Sequence, residues 1–130
     1  MIRVLVVDDH DFVRDSVVAA LADAEGIEVI GSCTNGLEAV EQAGIAGPDV
    51  VLMDLTMPVL DGVEATRRIV SGRPESRVVI LTASCDGRDV DAARAAGAID
   101  SLYKSAEISE VIESIRRAAT PPKLGLPPPL

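Results

Sequence analysis

The sequence predicts an α/β fold, a doubly wound sheet of five parallel strands with five helices laid on its two faces. Three observations predict it. Short apolar runs rich in Val and Ile alternate with segments of helical periodicity from one end of the chain to the other, and such runs read as strands buried on both faces. Each step between parallel strands needs a right-handed crossover, which lays a helix against the sheet. Apolar residues make up 48% of the chain while the aromatics are only Phe12 and Tyr103, so the core must be built from Val, Ile, Leu and Ala, which suits helices layered on a sheet.

The strands are expected at Ile2 to Val7, Ile27 to Cys33, Val50 to Met53, Val78 to Leu81 and Ala98 to Tyr103. The first helix carries a stripe of Val13, Val17 and Leu21, and shorter stripes, Leu37 with Val40 and Val63 with Ile69 or Val70, mark the second and third. The fourth, roughly Asp86 to Ala96, is Ala-rich and weakly patterned, which predicts shallow packing. In the fifth, Ile108, Val111, Ile112 and Ile115 fall at i, i+3, i+4 and i+7 and define one apolar face. These elements make one domain over residues 1–119. Residues 120–130 hold five of the eight prolines and read as a semi-rigid linker or tail.

The net charge is −9, with 21 acidic residues against 12 basic. That balance disfavours attraction to a phosphate backbone, so no direct nucleic-acid binding is expected of this domain. No apolar run reaches the length of a bilayer span, and no segment has the build of a signal peptide. Cys33 and Cys85 fit neither a disulfide framework nor a close-spaced metal motif and read as small hydrophobes. A cytoplasmic location is the expectation.

Polar residues that a core would not choose stand at four strand ends: Asp8 and Asp9, Asp54, Thr82, and Lys104. In a parallel sheet these ends open on one edge, where doubly wound folds place their ligand site. Three carboxylates would crowd beside one hydroxyl and one ammonium. Like charges ~4 Å apart repel by roughly 4 kcal/mol at an effective dielectric of 20, so the cluster calls for a cation. Mg²⁺ suits carboxylates, waters and a backbone carbonyl, and Thr56 is placed to lend its carbonyl. A carboxylate beside such an ion can attack a phosphoryl group, whose oxygens Lys104 would neutralise and Thr82 would contact. Taken singly, each residue has a plainer reading: Asp8, Asp9 or Asp11 as a helix cap, Thr82 as a strand residue, Lys104 as a surface lysine. Joint placement at successive strand ends argues against coincidence. His10 reads as a simple loop or helix-start residue rather than a ligand.

The stretch VVLMDLTMPVLDG from Val50 to Gly62, with LVVDDH from Leu5 to His10, resembles response-regulator receiver domains, and the resemblance runs from about Ile2 to Ala119. It implies the flavodoxin-like strand order 2-1-3-4-5, Asp54 as phosphoacceptor, Asp9 as direct Mg²⁺ ligand and Asp8 as its auxiliary. It further implies Thr82 and Lys104 as phosphoryl contacts, with Pro58 and the Asp61–Gly62 pair shaping the loop after the third strand. A sensor histidine kinase is the implied donor. VVDDH, AARAAGA before the fifth strand and the Pro-rich tail are similar to the NarL or LuxR type, which implies a DNA-binding helix-turn-helix effector lying outside this chain and a homodimer as one form of output.

Two positions depart from the family pattern. An aromatic is common three residues before the lysine, where this chain has Ser101, and Tyr103 sits one residue before Lys104, where alternation points it to the other face. Ser105 replaces a proline often joined through a cis bond. A cis bond before Ser would cost about 2.5–4 kcal/mol, so a trans bond with a shifted Lys104, or a strained bond, is expected. Two rival functions are a phosphorylation-independent interaction module, motivated by these two serines, and a haloacid-dehalogenase-type Mg²⁺ phosphohydrolase. The latter needs a second acid where Thr56 stands, and a larger cap. The chain is therefore expected to receive a phosphoryl group rather than to act as an enzyme on a small substrate.

Overall fold

In a computed structural model, which describes residues 1–83 and 87–119, strands and helices alternate throughout: β1 (Ile2–Val7), α1 (Asp11–Ala22), β2 (Ile27–Cys33), α2 (Gly36–Ala46), β3 (Val50–Met53), α3 (Gly62–Gly72), β4 (Arg77–Thr82), α4 (Gly87–Ala96), β5 (Asp100–Tyr103) and α5 (Ile108–Ala119). The sheet is parallel in the order β2-β1-β3-β4-β5. This is the predicted fold and strand order. The expectations for Cys85, for Asp86 as the start of α4 and for the linker 120–130 lie outside the described residues.

Strand alternation divides the core in two. Leu5 and Val7, Val51 and Met53, and Val78 and Ile80 face α2, α3 and α4, where they meet Ala39, Ala43, Ala65, Ile69 and Ala93. Val4 and Val6, Val50 and Leu52, and Val79 and Leu81 face α1 and α5, where they meet Leu21, Val111, Ile115 and Ala118. Both aromatics stay outside, Phe12 84% and Tyr103 55% exposed, so the core is aliphatic as the composition required.

Some stripes are corrected. In α2 the inward residues are Gly36, Ala39 and Ala43, while Leu37 is exposed, because small side chains let that helix approach the sheet closely. In α5 Ile108 is exposed and Ser114 buried; Ser114 is admitted because its hydroxyl donates to Asp100 at 2.6 Å. The Ala-rich α4 buries Ala93 and Ala96. A bulge in β2 opposite Val4 and Leu5 left no trace in the apolar pattern.

Local chemistry fixes the helix starts around the pocket. Asn35 accepts from Glu38 N at 2.9 Å and caps α2. Asp61 accepts from Glu64 N at 2.9 Å and caps α3. At α1 the cap residue is His10, with no side-chain cap bond, so Asp8 and Asp9 are free of the capping role.

Candidate functional site: an acidic pocket at the carboxyl edge of the sheet

β1 and β3 run in register with Val7 opposite Met53, so the next residues, Asp8 and Asp54, leave the sheet side by side. Asp54 N donates to Val7 O at 3.0 Å and Asp8 N to Cys33 O at 3.1 Å. From the other flank Lys104 N donates to Thr82 O at 2.8 Å, which ties the turn after β5 to the end of β4. Side chains from three strand ends therefore converge although they lie far apart in sequence.

Asp8 and Asp54 are buried, 4% and 3% exposed. Lys104 Nζ lies 2.8 Å from Asp8 Oδ2 and 3.4 Å from Asp54 Oδ2. The longer approach is an ion contact without hydrogen-bond geometry, so Asp54 Oδ2 remains buried with no hydrogen-bond donor, and Asp9 Oδ1 shares that condition. Burial, reinforced by the charge of Asp8 and only partly offset by Lys104, pushes the Asp54 carboxyl up to about 6. Burial alone would lower the Lys104 pKa, but Asp8 and Asp54 outweigh it and raise the value.

Ligand atoms of Asp8, Asp9, His10 and Asp54 all lie within 4.8 Å of one another. Three carboxylates, two with a buried oxygen lacking a donor, fit a hard divalent cation that takes oxygen ligands.

The loop from β3 to α3 rims the pocket, with Thr56 and Pro58 both exposed. Leu60 N donates to Pro58 O at 2.7 Å around Val59, whose φ is 70°. This is a γ-turn of the rare, strained hand, centred on a β-branched residue. Gly62 is needed for another reason: a Cβ there would meet Leu55 Cα at 2.7 Å and the Asp54 carbonyl carbon at 2.9 Å. Gly62 thus meets a steric demand of this loop, while Pro58 supplies the carbonyl of its turn.

Thr82 is buried at the end of β4 and shares a cleft of about 380 Å³ with Ala83, Tyr103, Lys104 and Ser105. Beyond that shared cleft, Tyr103 borders a second with Val90, Asp91 and Ser101 on the α4 side, while Lys104 borders a third with Val17, Leu81 and Val111 on the side of α1 and α5, in line with strand alternation. Ser101 lies beneath α4, with Arg94 donating to its hydroxyl at 3.4 Å. No cis peptide bond occurs among the described residues. The bond before Ser105 is trans, and Lys104 still reaches both acids.

His10 is the helix-start residue of α1, as read from the sequence, and its Nδ1 lies 3.2 Å from both Asp8 Oδ1 and Asp9 Oδ1, a contact the sequence does not reveal. One residue of the pocket escaped the sequence reading. Arg14, whose side chain is only 12% exposed, donates to the Asp8 carbonyl at 3.1 Å and pairs with Asp11 at 2.8 Å. The available signal was an arginine amid acids in the first turn of α1, one helical turn from His10. Cys33 is buried and its thiol pushed up to about 11 by burial, as befits an inert small hydrophobe.

Comparison with known proteins agrees with this architecture. The family described as response regulator receiver domain matches residues 4–116. The chain is 41% identical over 116 residues to response regulator GacA of Pseudomonas viridiflava, covering 89% of this chain and 54% of that protein. It is 41% identical over 119 residues to the transcriptional regulatory protein LiaR of Bacillus subtilis, covering 92% and 56%. The chain thus spans about half the length of the curated relatives it matches. Among solved structures, the signal receiver domain of the response regulator NarL from Mycobacterium tuberculosis superposes with a TM-score of 0.87 at 31% identity, covering 91% of this chain and 95% of that one. Among the described residues no helix is long and apolar enough to cross a membrane. A five-stranded sheet in this order, an acidic pocket at its carboxyl edge and a match over most of its length place this chain in the response regulator receiver domain family.

Proposed function

We propose that Asp54 accepts a phosphoryl group from a sensor histidine kinase, and that the phosphorylated pocket switches an output domain outside this chain. The observation that carries the reading is the buried Asp54 carboxylate, one oxygen of which has no donor while Asp8, Asp9 and Lys104 crowd around it. A carboxylate serving only structure would be hydrogen-bonded as well as ion-paired, since leaving a buried acceptor without a hydrogen bond costs ~1–3 kcal/mol.

In this reading an Asp54 oxygen attacks phosphorus, the bond from phosphorus to the donor nitrogen breaks, and an acyl phosphate forms on Asp54. Lys104 turns from Asp8 toward the phosphoryl oxygens, and the Thr82 hydroxyl donates to another of them. Asp9, Asp54 and the Thr56 carbonyl would hold Mg²⁺ directly, with Asp8 as auxiliary. When bound, the ion supplies positive charge to the pocket and to the transferring group. Gly62 lets α3 start against the Asp54 backbone, and Pro58 sets the turn before it.

Movement of Thr82 and Lys104 reaches the surface through the cleft they share with Tyr103. The switch would bias the surface of α4, β5 and α5 between two arrangements. LiaR is a transcriptional regulatory protein, and by analogy the output here is a helix-turn-helix DNA-binding domain, with homodimerisation as one means of control. Asp54 thus receives a phosphoryl group rather than turning over a small substrate.

The test is intact mass after incubation with Mg²⁺ and a small phosphodonor, for the wild type and Asp54→Asn. The expected result is a gain of one phosphoryl group that Asp54→Asn abolishes. An unchanged wild-type mass would replace this reading with an interaction module indifferent to phosphate, and steady turnover of the donor would favour a phosphohydrolase.

A further inference from the structure

β2 forms one edge of the sheet and, among the described residues, pairs only with β1. Alternate backbone N–H and C=O groups along it therefore face away from the rest of the sheet, and an open edge of this kind readily takes another strand. Beside that edge runs a groove of about 490 Å³ between β2 and α1. Its walls are mostly apolar, with Val18 and Ala22 on the helix, Val29 and Ile30 on the strand, and Met1 at the end where β2 begins.

The chain itself arrives at this groove. α5 packs against α1, and Arg116 donates to Glu25 O at 2.9 Å, in the turn that leads into β2. Ala119, where α5 ends, packs with Ile2, Ala24 and Val29 against one cluster of buried residues. From there Thr120 to Lys123 can extend by up to ~13 Å, enough to pass the end of α1, since packed helices stand ~8–10 Å apart. The residues that come next have the build of a short strand. Pro121 and Pro122 on one side and Pro127 to Pro129 on the other carry no N–H, so ladder pairing is confined to Lys123, Leu124, Gly125 and Leu126. β3 and β5 are also 4 residues long, so that length suffices for a strand of this sheet. Leu124 and Leu126 stand two apart and share a face. Lys123 carries the one charged side chain of the segment, and this side of the domain offers exposed acids in Asp23, Glu25 and Glu28.

We infer that Lys123 to Leu126 pair with the open edge of β2 as a sixth strand, with Leu124 and Leu126 seated in the groove between α1 and β2. The added strand runs parallel to β2, because α5 ends beside the start of β2. Main-chain bonds satisfy the edge, the groove takes the two leucines, and Lys123 pairs with the acids at the start of β2. The edge is thereby closed to other strands, and the chain leaves the domain along β2. This pairing is independent of the chemistry at Asp54.

Methyl NMR and amide exchange on the full chain test it. Leu124 and Leu126 methyls should show NOEs to the methyls of Val18 and Val29. The outward amides of β2 should exchange at least about tenfold more slowly in wild type than in the double variant Leu124→Asp/Leu126→Asp. Both substitutions lie beyond α5, so the variant keeps its fold, which unchanged methyl signals from buried Val79 and Ile115 would verify. Lys123→Glu should cost a smaller part of the protection, about two- to fivefold. Absent NOEs, or equal exchange of the outward amides in wild type and double variant, would overturn the inference. NOEs found only between differently labelled chains, with protection that grows with protein concentration, would also overturn it and assign the edge to a second copy.

Discussion

Two aspartates, one just past the end of β3 and one at the start of β5, are treated in opposite ways. Asp100, at the start of β5, accepts from Ser114 at 2.6 Å and from Ser101 N at 2.8 Å, with Arg117 at 3.4 Å. Burial alone would raise its pKa, but these three donors outweigh it and hold the carboxyl below its ordinary value. Asp54, just beyond β3, faces two other carboxylates and keeps one oxygen without a donor, and its pKa rises to about 6. The fold shows with Asp100 that it can satisfy a carboxylate, so the condition of Asp54 is a feature of the pocket rather than a failure of packing. Unmet polar groups of this kind gather where a ligand completes them.

Three changes sharpen or break that contrast, in falling order of effect. Gly62→Ala drives a Cβ against the backbone that carries Asp54. It should cost roughly 3 kcal/mol in urea unfolding and displace Asp54, whereas alanine at exposed Gly44, with open space around it, should cost nothing.

Exchanging the charges comes next, and the two aspartates should respond with opposite signs. Raising the Asp54 pKa from 3.8 to about 6 corresponds to a folded-state cost of about 3 kcal/mol once the group ionises. The cost is absent below the unfolded value, grows as pH rises through this window and is complete above it. Metal-free Asp54→Asn should therefore be more stable than wild type at pH 8 by up to that amount, with the gain gone by about pH 4. Asp100 has a depressed pKa, so its contribution is present above the unfolded value and is lost as pH falls through the folded one. Asp100→Asn should destabilise by roughly 1–2 kcal/mol at pH 8, and the loss should fade in acid. Unfolding free energies of the two variants across pH 3 to about 8 decide this.

The smallest effect is expected at the rim. Val59 holds φ at 70°, a conformation that is uncommon for β-branched residues and costs about 1–3 kcal/mol. Val59→Gly should relieve the strain and stabilise by about 1 kcal/mol, net of the extra entropy that glycine brings to the unfolded chain. A destabilised variant in thermal unfolding would mean that the turn is not strained.

The same contrast explains what the sequence made legible. Strand runs such as Val50 to Met53 were visible because burial on both faces demands unbroken apolar residues. Asp8, Asp54, Thr82 and Lys104 were visible because strand ends in a parallel sheet share one edge. Helix faces built from small residues were not: Ala39 and Ala43 bury as fully as any leucine, but alanine is equally at home on a surface. The contacts of Arg14 and His10 were hidden for another reason. They depend on side-chain direction in the turn from β1 to α1, which no periodicity reports.

The central claim is that the Asp54 carboxylate is held in wait for a cation, and carboxyl ¹³C titration of Asp54 and Asp100 tests it most directly. In metal-free protein Asp54 should titrate near 6 and Asp100 below its ordinary 3.8, with Mg²⁺ moving the Asp54 midpoint down and leaving Asp100 unmoved. Midpoints that coincide near the ordinary carboxylate value, or an Asp54 midpoint indifferent to Mg²⁺, would contradict the account.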